Sequence, residues 1–519
     1  MILTSSPPEP EQLEALTDSV QISTEVQQVA IVSRQHFDRA VAAGQSIYGT
    51  TTGYGPFVGF QAREDGGTDL IEHLLVGSGE ALPPDLISPA LYLRAWTMAQ
   101  GRSGVRIPVI QAYLDALGIC QTGMYPEIPS IGSLGASGDL IPLAHLLNAI
   151  LGRGSWKGHS GKTRVANLVK GHSMDRREAL ACINGISFSK AGASLTYCKL
   201  NRLLRIHEIL TAILYYLLDA NPDHLSPTLF QSANPSNTAG RMLNYLNSIN
   251  KRASQGNSGH SGAKDLQHSA EGESPRHGYA LQAPYSLRCA PQTISACLGL
   301  LNSARSSIFQ DLETIDDNPL IDPETGFVAH GGNFFGQSTA FGSDELTMAA
   351  CQSGVLAERQ LALILDPDLN GEEALMLARK PGHSSGLAGL QLTTTALVAE
   401  MRSLSQMHST YSIPTNGKNQ DIVPMAFLAS RRAHQVTIHL SAVLGALLMA
   451  TRNLWQMRNE NEVVFDYPFW PEHRLRMLSE AIVLAGEMEY PDESLGKTLQ
   501  FYQRALINRE ILSDENLYP

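Results

Sequence analysis

The sequence predicts an all-α protein, a long up-and-down helical bundle with an N-terminal region of mixed, loop-rich character, and three observations carry that expectation. Apolar residues recur at helical spacing through 190–219, 286–314, 343–365, 386–408 and 424–456, runs too long to be strands. A run of roughly 25 residues rises about 38 Å as a helix, and rods of that length pack most simply side by side. Glycine-rich turn signals gather instead in the first part of the chain: YGTTTGYGPFVG at 48–59, GSLGASGD at 132–139 and INGIS at 183–187. At 519 residues the chain is longer than one core usually serves, so two regions are expected, a loop-bearing 1–190 and a long-helix 191–519.

Composition narrows the function classes. The chain is 43% hydrophobic and 17% charged, ordinary for a soluble enzyme, and its unbroken apolar stretches read as shorter than a bilayer span. A net charge of -12 without a dense Lys/Arg block disfavours nucleic acid and anionic membranes as partners. The N-terminus, MILTSSPPEPEQLEAL, lacks a basic stretch leading into an apolar run, so a cytoplasmic location is expected. Six cysteines, Cys120, Cys182, Cys198, Cys289, Cys297 and Cys351, sit in apolar segments without CxxC spacing, as reduced buried thiols do. The segment 251–280 is rich in Ser, Gly and charge and reads as a loop; its His260, His268 and His277 meet no metal-ligand spacing, so no metal is expected.

The stretch Gly132 to His145, GSLGASGDLIPLAH, runs from small residues straight into a helical pattern, with Asp139 placed as its N-cap. One reading is an anion-binding loop, although the Lys-Ser/Thr of a P-loop is absent. The other uses the order Ala136-Ser137-Gly138. There the Gly138 amide nitrogen can attack the Ala136 carbonyl carbon, because neither small neighbour obstructs it; loss of two waters then leaves a methylidene on the former Ser137.

This stretch closely resembles the Ala-Ser-Gly motif of the histidine, phenylalanine and tyrosine ammonia-lyases and the related aminomutases. Seven further matches follow in that family's chain order: IYGTTTGYG at 47–55, GRSGVR at 101–106, INGIS at 183–187, YSLRCAPQ at 285–292, DNPLID at 317–322, HGGNFFGQ at 330–337 and NGKNQD at 416–421. The resemblance implies 4-methylideneimidazol-5-one, formed autocatalytically from Ala136-Ser137-Gly138, with no metal. Tyr48 matches the catalytic base on an inner loop, and its phenol, near pKa 10 when free, must be depressed to take a β-proton. Tyr54 matches a structural aromatic. Asn184 matches the asparagine whose amide donates to the ring oxygen as charge develops. Arg288 matches the arginine that grips the substrate carboxylate, a task for a bidentate fork. Tyr285, three residues earlier, shares its face if that segment is helical, and matches a second tyrosine near the ring. Asn333 and Phe334 match pocket-lining residues.

Three positions depart from the family pattern. Ala283 stands where an acidic residue is usual, Phe335 replaces a histidine or glutamine, and Trp96 stands where asparagine is common. His73-Leu74 falls at the family's selectivity pair and resembles tyrosine-specific bacterial members; a neutral imidazole can bond a phenol hydroxyl inside an apolar pocket. Gln420 occupies the position of a glutamate in histidine lyases, and a neutral amide removes the incentive to bind an imidazolium. The resemblance therefore implies ammonia elimination from an aromatic L-amino acid, tyrosine to 4-coumarate first. A tyrosine or phenylalanine 2,3-aminomutase, a histidine ammonia-lyase and a non-enzymatic helical bundle stand as alternatives. It also implies a homotetramer whose sites each draw on three chains.

Overall fold

The apolar-periodic runs fold as helices. The computed structural model describes residues 2–16, 19–62, 67–158, 161–230, 238–253, 282–370, 374–458 and 495–507, with only the backbone of Thr68, residues 251–253, Lys418 and Arg458. His260, His268 and His277, and most of the 251–280 loop, lie outside the described residues. In chain order the helices are α1 (Pro10–Glu14), α2 (Thr24–Ala42), α3 (Pro84–Ala99), α4 (Ile107–Cys120), α5 (Leu140–Ile150), α6 (Arg176–Ile183) and α7 (Ser187–Leu217). They continue with α8 (Thr238–Ala253), α9 (Tyr285–Arg288), α10 (Ala290–Glu313), α11 (Gln337–Leu365), α12 (Pro367–Asn370), α13 (Ala388–Leu404), α14 (Ala426–Arg458) and α15 (Leu495–Ile507). Among the described residues no strand exceeds four residues, so the all-α expectation holds.

Local chemistry explains several boundaries. The Ser23 hydroxyl accepts from the Val26 amide at 3.2 Å and starts α2. At α6 the Asp175 carboxylate accepts from the Glu178 amide while Glu178 accepts from the Asp175 amide, a reciprocal cap of two donors otherwise left over. The run expected at 286–314 is interrupted at Cys289, between α9 and α10. Pro291 lacks the N–H that would reach back to the Leu287 carbonyl, so one helix cannot continue through it. By length and composition α14 is long and apolar enough to cross a bilayer, with mean hydropathy 1.4 over its most apolar window. That window is 83% buried in the protein, as befits a core helix.

The chain forms two compact units. The first comprises Met1–Cys198, Ser303–Glu345 and Met407–His434; the second comprises Lys199–Asn302, Leu346–Gln406 and Gln435–Pro519. In the first, α3 is buried on nearly all faces and packs on α4. Phe37, Ile47, Ile321 and Val328 form a cluster that seats the start of the 47–62 loop. In the second, buried Glu208 is paired with Arg205 and Arg241, and the buried Tyr502 of α15 accepts from Arg452 at 3.3 Å.

The segment 316–318 is a polar hub inside the first unit. Fully buried Arg177 donates to the Ser103 carbonyl at 2.7 Å, to the Asn318 carbonyl at 3.0 Å and to the Asp317 carboxylate. Asp316 accepts from the Thr97 hydroxyl and the Ile186 amide, both at 2.6 Å, and pairs with buried Lys190 at 3.1 Å. Thus α3, α6 and the start of α7 are referenced to one turn of chain. Removing one partner of a buried ion pair strands the other, at a cost of about 3–5 kcal/mol. Arg177→Met is expected to lose stability on that scale, read as a large drop in thermal midpoint; an unchanged midpoint would contradict the hub.

Candidate active site

The Ala136-Ser137-Gly138 segment lies between the short strand Pro129–Ile131 and α5, in a backbone only glycines allow. Gly138 has φ +75°, and a Cβ placed on it would meet the Gly185 amide nitrogen at 2.3 Å. Gly135 has φ +67° and would meet the Ala426 side chain at 2.7 Å. Two main chains therefore lie in direct contact, the 135–139 loop and the INGIS turn between α6 and α7. Ala136 packs with Val423, Met425, Leu134 and Leu428, and the Gly336 amide donates to the Gly135 carbonyl at 3.2 Å, fastening the GGNFFG loop to the same place.

Both oxygens of Ser137 are engaged. Asn184 Nδ2 donates to the Ser137 carbonyl at 2.8 Å, and Gln420 Nε2 donates to the Ser137 hydroxyl at 2.5 Å. The Thr415 hydroxyl donates to Gln420 Oε1 at 2.8 Å, which turns the amide's NH2 end toward the serine. Asn184 Oδ1 is buried without a partner among the described residues. These residues fit a 4-methylideneimidazol-5-one: small neighbours leave the Gly138 nitrogen free to approach Ala136, and the Ser137 carbonyl, which would become the ring oxygen, already has an amide donor.

Asp139 stands at the N-cap position of α5, as the sequence leads one to expect, but its side chain makes no cap bond to that helix and is used elsewhere. Its carboxylate accepts instead from the Ser189 amide at 2.8 Å, the Ser189 hydroxyl at 2.7 Å and the Ser133 hydroxyl at 2.9 Å. Complete burial pushes its pKa up to about 6, against the pull of those three donors, and the nearby Asp316 adds to the rise.

Tyr48 opens the 47–62 loop. Its backbone amide donates to His330 Nε2 at 3.2 Å, and its phenol oxygen accepts from the Gly55 amide at 2.8 Å. His330, lowered by burial and by Arg177, is held neutral with Nε2 as acceptor. The depressed phenol expected of a base is not found. Burial pushes Tyr48 above its ordinary value, and the Gly55 donor opposes only part of that. Tyr54 is raised by burial too, although Arg176 opposes the shift there. Tyr54 stacks on His73 with centroids 5.6 Å apart, and burial lowers His73 against a bond to the Leu70 carbonyl, so the imidazole is neutral near pH 7.

Within the first unit, then, Ser137, Gly138, Asn184 and Gln420 come together, and Tyr48, Tyr54 and His73 form a neighbouring group. Leu74 ends the 3-10 helix Gly67–Leu74 that carries His73. Asn333 is exposed, while Phe334 and Phe335 are half-buried. Trp96 is buried and donates to the Ser6 carbonyl at 2.9 Å, a packing role that no motif signalled. In the second unit Tyr285 is 70% exposed and Arg288 lies over its ring at 4.9 Å, on one helical face as anticipated. Ala283 is buried, so a carboxylate there would have to be paired. Ser189, His330 and Gly185 were not singled out in the sequence, since each acts through a partner distant along the chain; Thr415 acts through nearby Gln420 and carried no motif signal of its own.

One pH dependence follows from Asp139. A carboxyl whose folded pKa lies above its unfolded value holds its proton more tightly when folded. Its contribution is therefore full below about pH 4 and lost as pH rises through about 6. Asp139→Asn has no proton to lose, and its amide can still meet Ser189 and the two hydroxyls. Between pH 4 and 7 the wild type is expected to lose up to about 3 kcal/mol relative to it; parallel melting curves across that range would refute the assignment.

Comparisons with known proteins identify the family. The sequence model of the aromatic amino acid lyase family matches residues 9–468. A tyrosine ammonia-lyase of Cupriavidus metallidurans is 34% identical over 433 residues, 81% of this chain and 80% of that protein. A histidine ammonia-lyase of Legionella pneumophila is 32% identical over 431 residues, 80% of each. The crystal structure of a tyrosine aminomutase from Streptomyces globisporus superposes with a TM-score of 0.81 at 27% identity, covering 98% of this chain and 97% of that one. A chain matched over most of its length, with its Ala-Ser-Gly loop held by Asn184 and Gln420, belongs to the aromatic amino acid lyase family, a family of ammonia-lyases with aminomutase relatives.

Proposed function

We propose that the enzyme eliminates ammonia from L-tyrosine to give 4-coumarate, through a 4-methylideneimidazol-5-one formed from Ala136-Ser137-Gly138. The observation that carries this reading is the pair of amides on Ser137. Gln420 donates to the hydroxyl that must leave, and Asn184 donates to the carbonyl oxygen on which negative charge would collect. When assembled, the group supplies an electron-poor alkene that makes an amine a better leaving group.

The chain's own residues supply the rest. Tyr48 takes the β-proton, and His330 and Gly55 hold its loop and its phenol in place. Neutral His73, stacked on Tyr54, offers a hydrogen bond to the substrate phenol, and Leu74 beside it lines the apolar part of that pocket. Gln420 presents a neutral amide where an imidazolium would want a carboxylate. Arg288, under whose guanidinium the Tyr285 ring lies, takes the carboxylate; Asn333 and Phe334 are the further lining residues that the family resemblance implies. The reading includes a cytoplasmic homotetramer in which a site draws on three chains; exposed Phe57, Phe60, Ile413 and Ile422 supply apolar surface for contacts between copies.

A 2,3-aminomutase is the second reading, favoured by the self-bonded 47–62 loop. Gly53 donates to the Phe60 carbonyl at 2.8 Å and Ala62 to the Thr51 carbonyl at 3.0 Å, a loop built to hold an acrylate until the amine returns to the β-carbon. Free 4-coumarate from tyrosine supports the lyase, β-tyrosine the mutase, and urocanate from histidine overturns both.

The intact protein is expected to weigh two waters less than its translated sequence, and Ser137→Ala to restore the full mass and abolish turnover. Tyr48→Phe is expected to keep the lighter mass while losing about 10²–10⁴ in kcat. Retained turnover would remove Tyr48 from its role. His73→Phe is expected to shift the kcat/KM ratio toward phenylalanine by at least about tenfold; an unchanged ratio would show that the phenol is read elsewhere.

A further inference from the structure

The second unit contains a buried polar chain that ends on the turn carrying Arg288. The Ser353 hydroxyl meets His207 Nδ1 at 2.8 Å, and His207 Nε2 meets Gln360 Oε1 at 3.0 Å. Gln360 Nε2 donates to the Ser286 carbonyl at 2.9 Å and to the Thr211 hydroxyl at 3.1 Å. Beside it, the Tyr215 hydroxyl donates to the Leu287 carbonyl at 2.9 Å. His207, Ser353, Gln360 and Tyr215 are all buried to within 1% of complete. The direction of the chain is set by its last acceptor. A carbonyl can only accept, so the Gln360 NH2 faces Ser286, its oxygen faces His207, and the imidazole is the Nε2–H tautomer accepting from Ser353.

The spacing explains why three helices can share this. His207, Thr211 and Tyr215 recur every four residues along one face of α7, and Ser353 and Gln360 are two turns apart on α11. They meet a turn that needs donors. Pro291 has no N–H to give the Leu287 carbonyl at the helical i+4 position, and in the four-residue α9 the Cys289 amide is already committed to the Tyr285 carbonyl at 2.9 Å. A buried carbonyl without a donor is costly, so the two side-chain bonds over-determine where residues 286 and 287 sit.

We propose that Gln360, oriented by His207, and Tyr215 are positioning residues that set the direction of the Arg288 guanidinium and hence the enzyme's affinity for its substrate's carboxylate. This rests on the reading of Arg288 as the carboxylate fork. None of the three needs to touch substrate; each acts through the main chain of the Tyr285–Arg288 turn. The neutral imidazole, its pKa lowered to about 4 by burial, keeps the relay fixed through the physiological range.

The test uses the full-length enzyme with tyrosine as substrate and 4-coumarate as the carboxylate probe. Gln360→Leu keeps the volume and removes the donor to Ser286; Tyr215→Phe removes a single oxygen and leaves packing intact. Each is expected to raise KM and the 4-coumarate inhibition constant by about five- to tenfold, with kcat changed by less than about twofold. Combined with Arg288→Ala, neither should add a further loss in affinity. If Arg288→Ala itself leaves the inhibition constant unchanged, the carboxylate assignment fails. If Arg288→Ala weakens the probe while Tyr215→Phe and Gln360→Leu do not, the assignment stands and the positioning proposal is overturned. Should Gln360→Leu fail to fold, the Tyr215→Phe result decides alone.

Discussion

The contact between Gly138 and Gly185 is the constraint on which the rest of the site depends. A Cβ on Gly138 would enter the Gly185 main chain, and one on Gly185 would enter the Arg94 guanidinium, at 1.6 Å from Nη1. Loop, turn and guanidinium are thus stacked without side chains between them. This closeness lets Asn184, one residue before Gly185, reach the Ser137 carbonyl with a short amide. It also brings the next amides of the chain onto carboxylates, Ile186 onto Asp316 and Ser189 onto Asp139. A single methyl group at either glycine would separate every pair.

The electrostatics follow the same layering. The groups on Ser137 itself are neutral amides, whereas the charges, Arg94, Lys190, Asp139 and Asp316, are buried one layer behind. A carboxylate directly against the serine would oppose negative charge developing there, while an amide donor favours it. The carboxylates behind have other work. Asp316 and Asp139 accept from amides at the start of α7, where an acidic side chain is favoured by the helix's positive end. Asp316 is lowered by Lys190 and Arg94 despite its burial, whereas Asp139 lacks a cation of its own and rises. Two aspartates in one network thereby hold protons of opposite tightness.

Much of the fold was legible because long apolar runs leave few alternatives to helices: the run expected at 190–219 is α7, and that at 424–456 is α14. The break at Cys289 was not, since apolar periodicity continues across it and only the missing N–H of Pro291 records it. Asp139 does stand at the N-cap position of α5, but the use of its side chain escaped for a similar reason. Capping preferences are local, and its real partner Ser189 is 50 residues away. The motifs exposed the residue types of the site but not their partners. Gln420 was read as a substrate selector, and the motif gave no sign that its amide also lies on the Ser137 hydroxyl. Nor does any linear signal show that 303–345 and 407–434 return to the first unit.

Tyr48 shows how magnitudes limit mechanism. With its pKa above 10, fewer than about one phenol in a thousand is ionised at pH 7. Bringing it to neutrality takes more than three units, or more than roughly 4 kcal/mol. Another neutral hydrogen bond supplies about 1 kcal/mol net, and the Gly55 amide already provides one without overcoming burial. An adjacent positive charge shifts an acid by about one to three units, well beyond what one more hydrogen bond supplies. Among the described residues the cation that lowers one of these two phenols is Arg176, and it acts on Tyr54. On the proposed reading, proton removal by Tyr48 would therefore need a positive charge near its phenol during turnover, since its main chain is tied to His330 and its hydroxyl to Gly55 without lowering it.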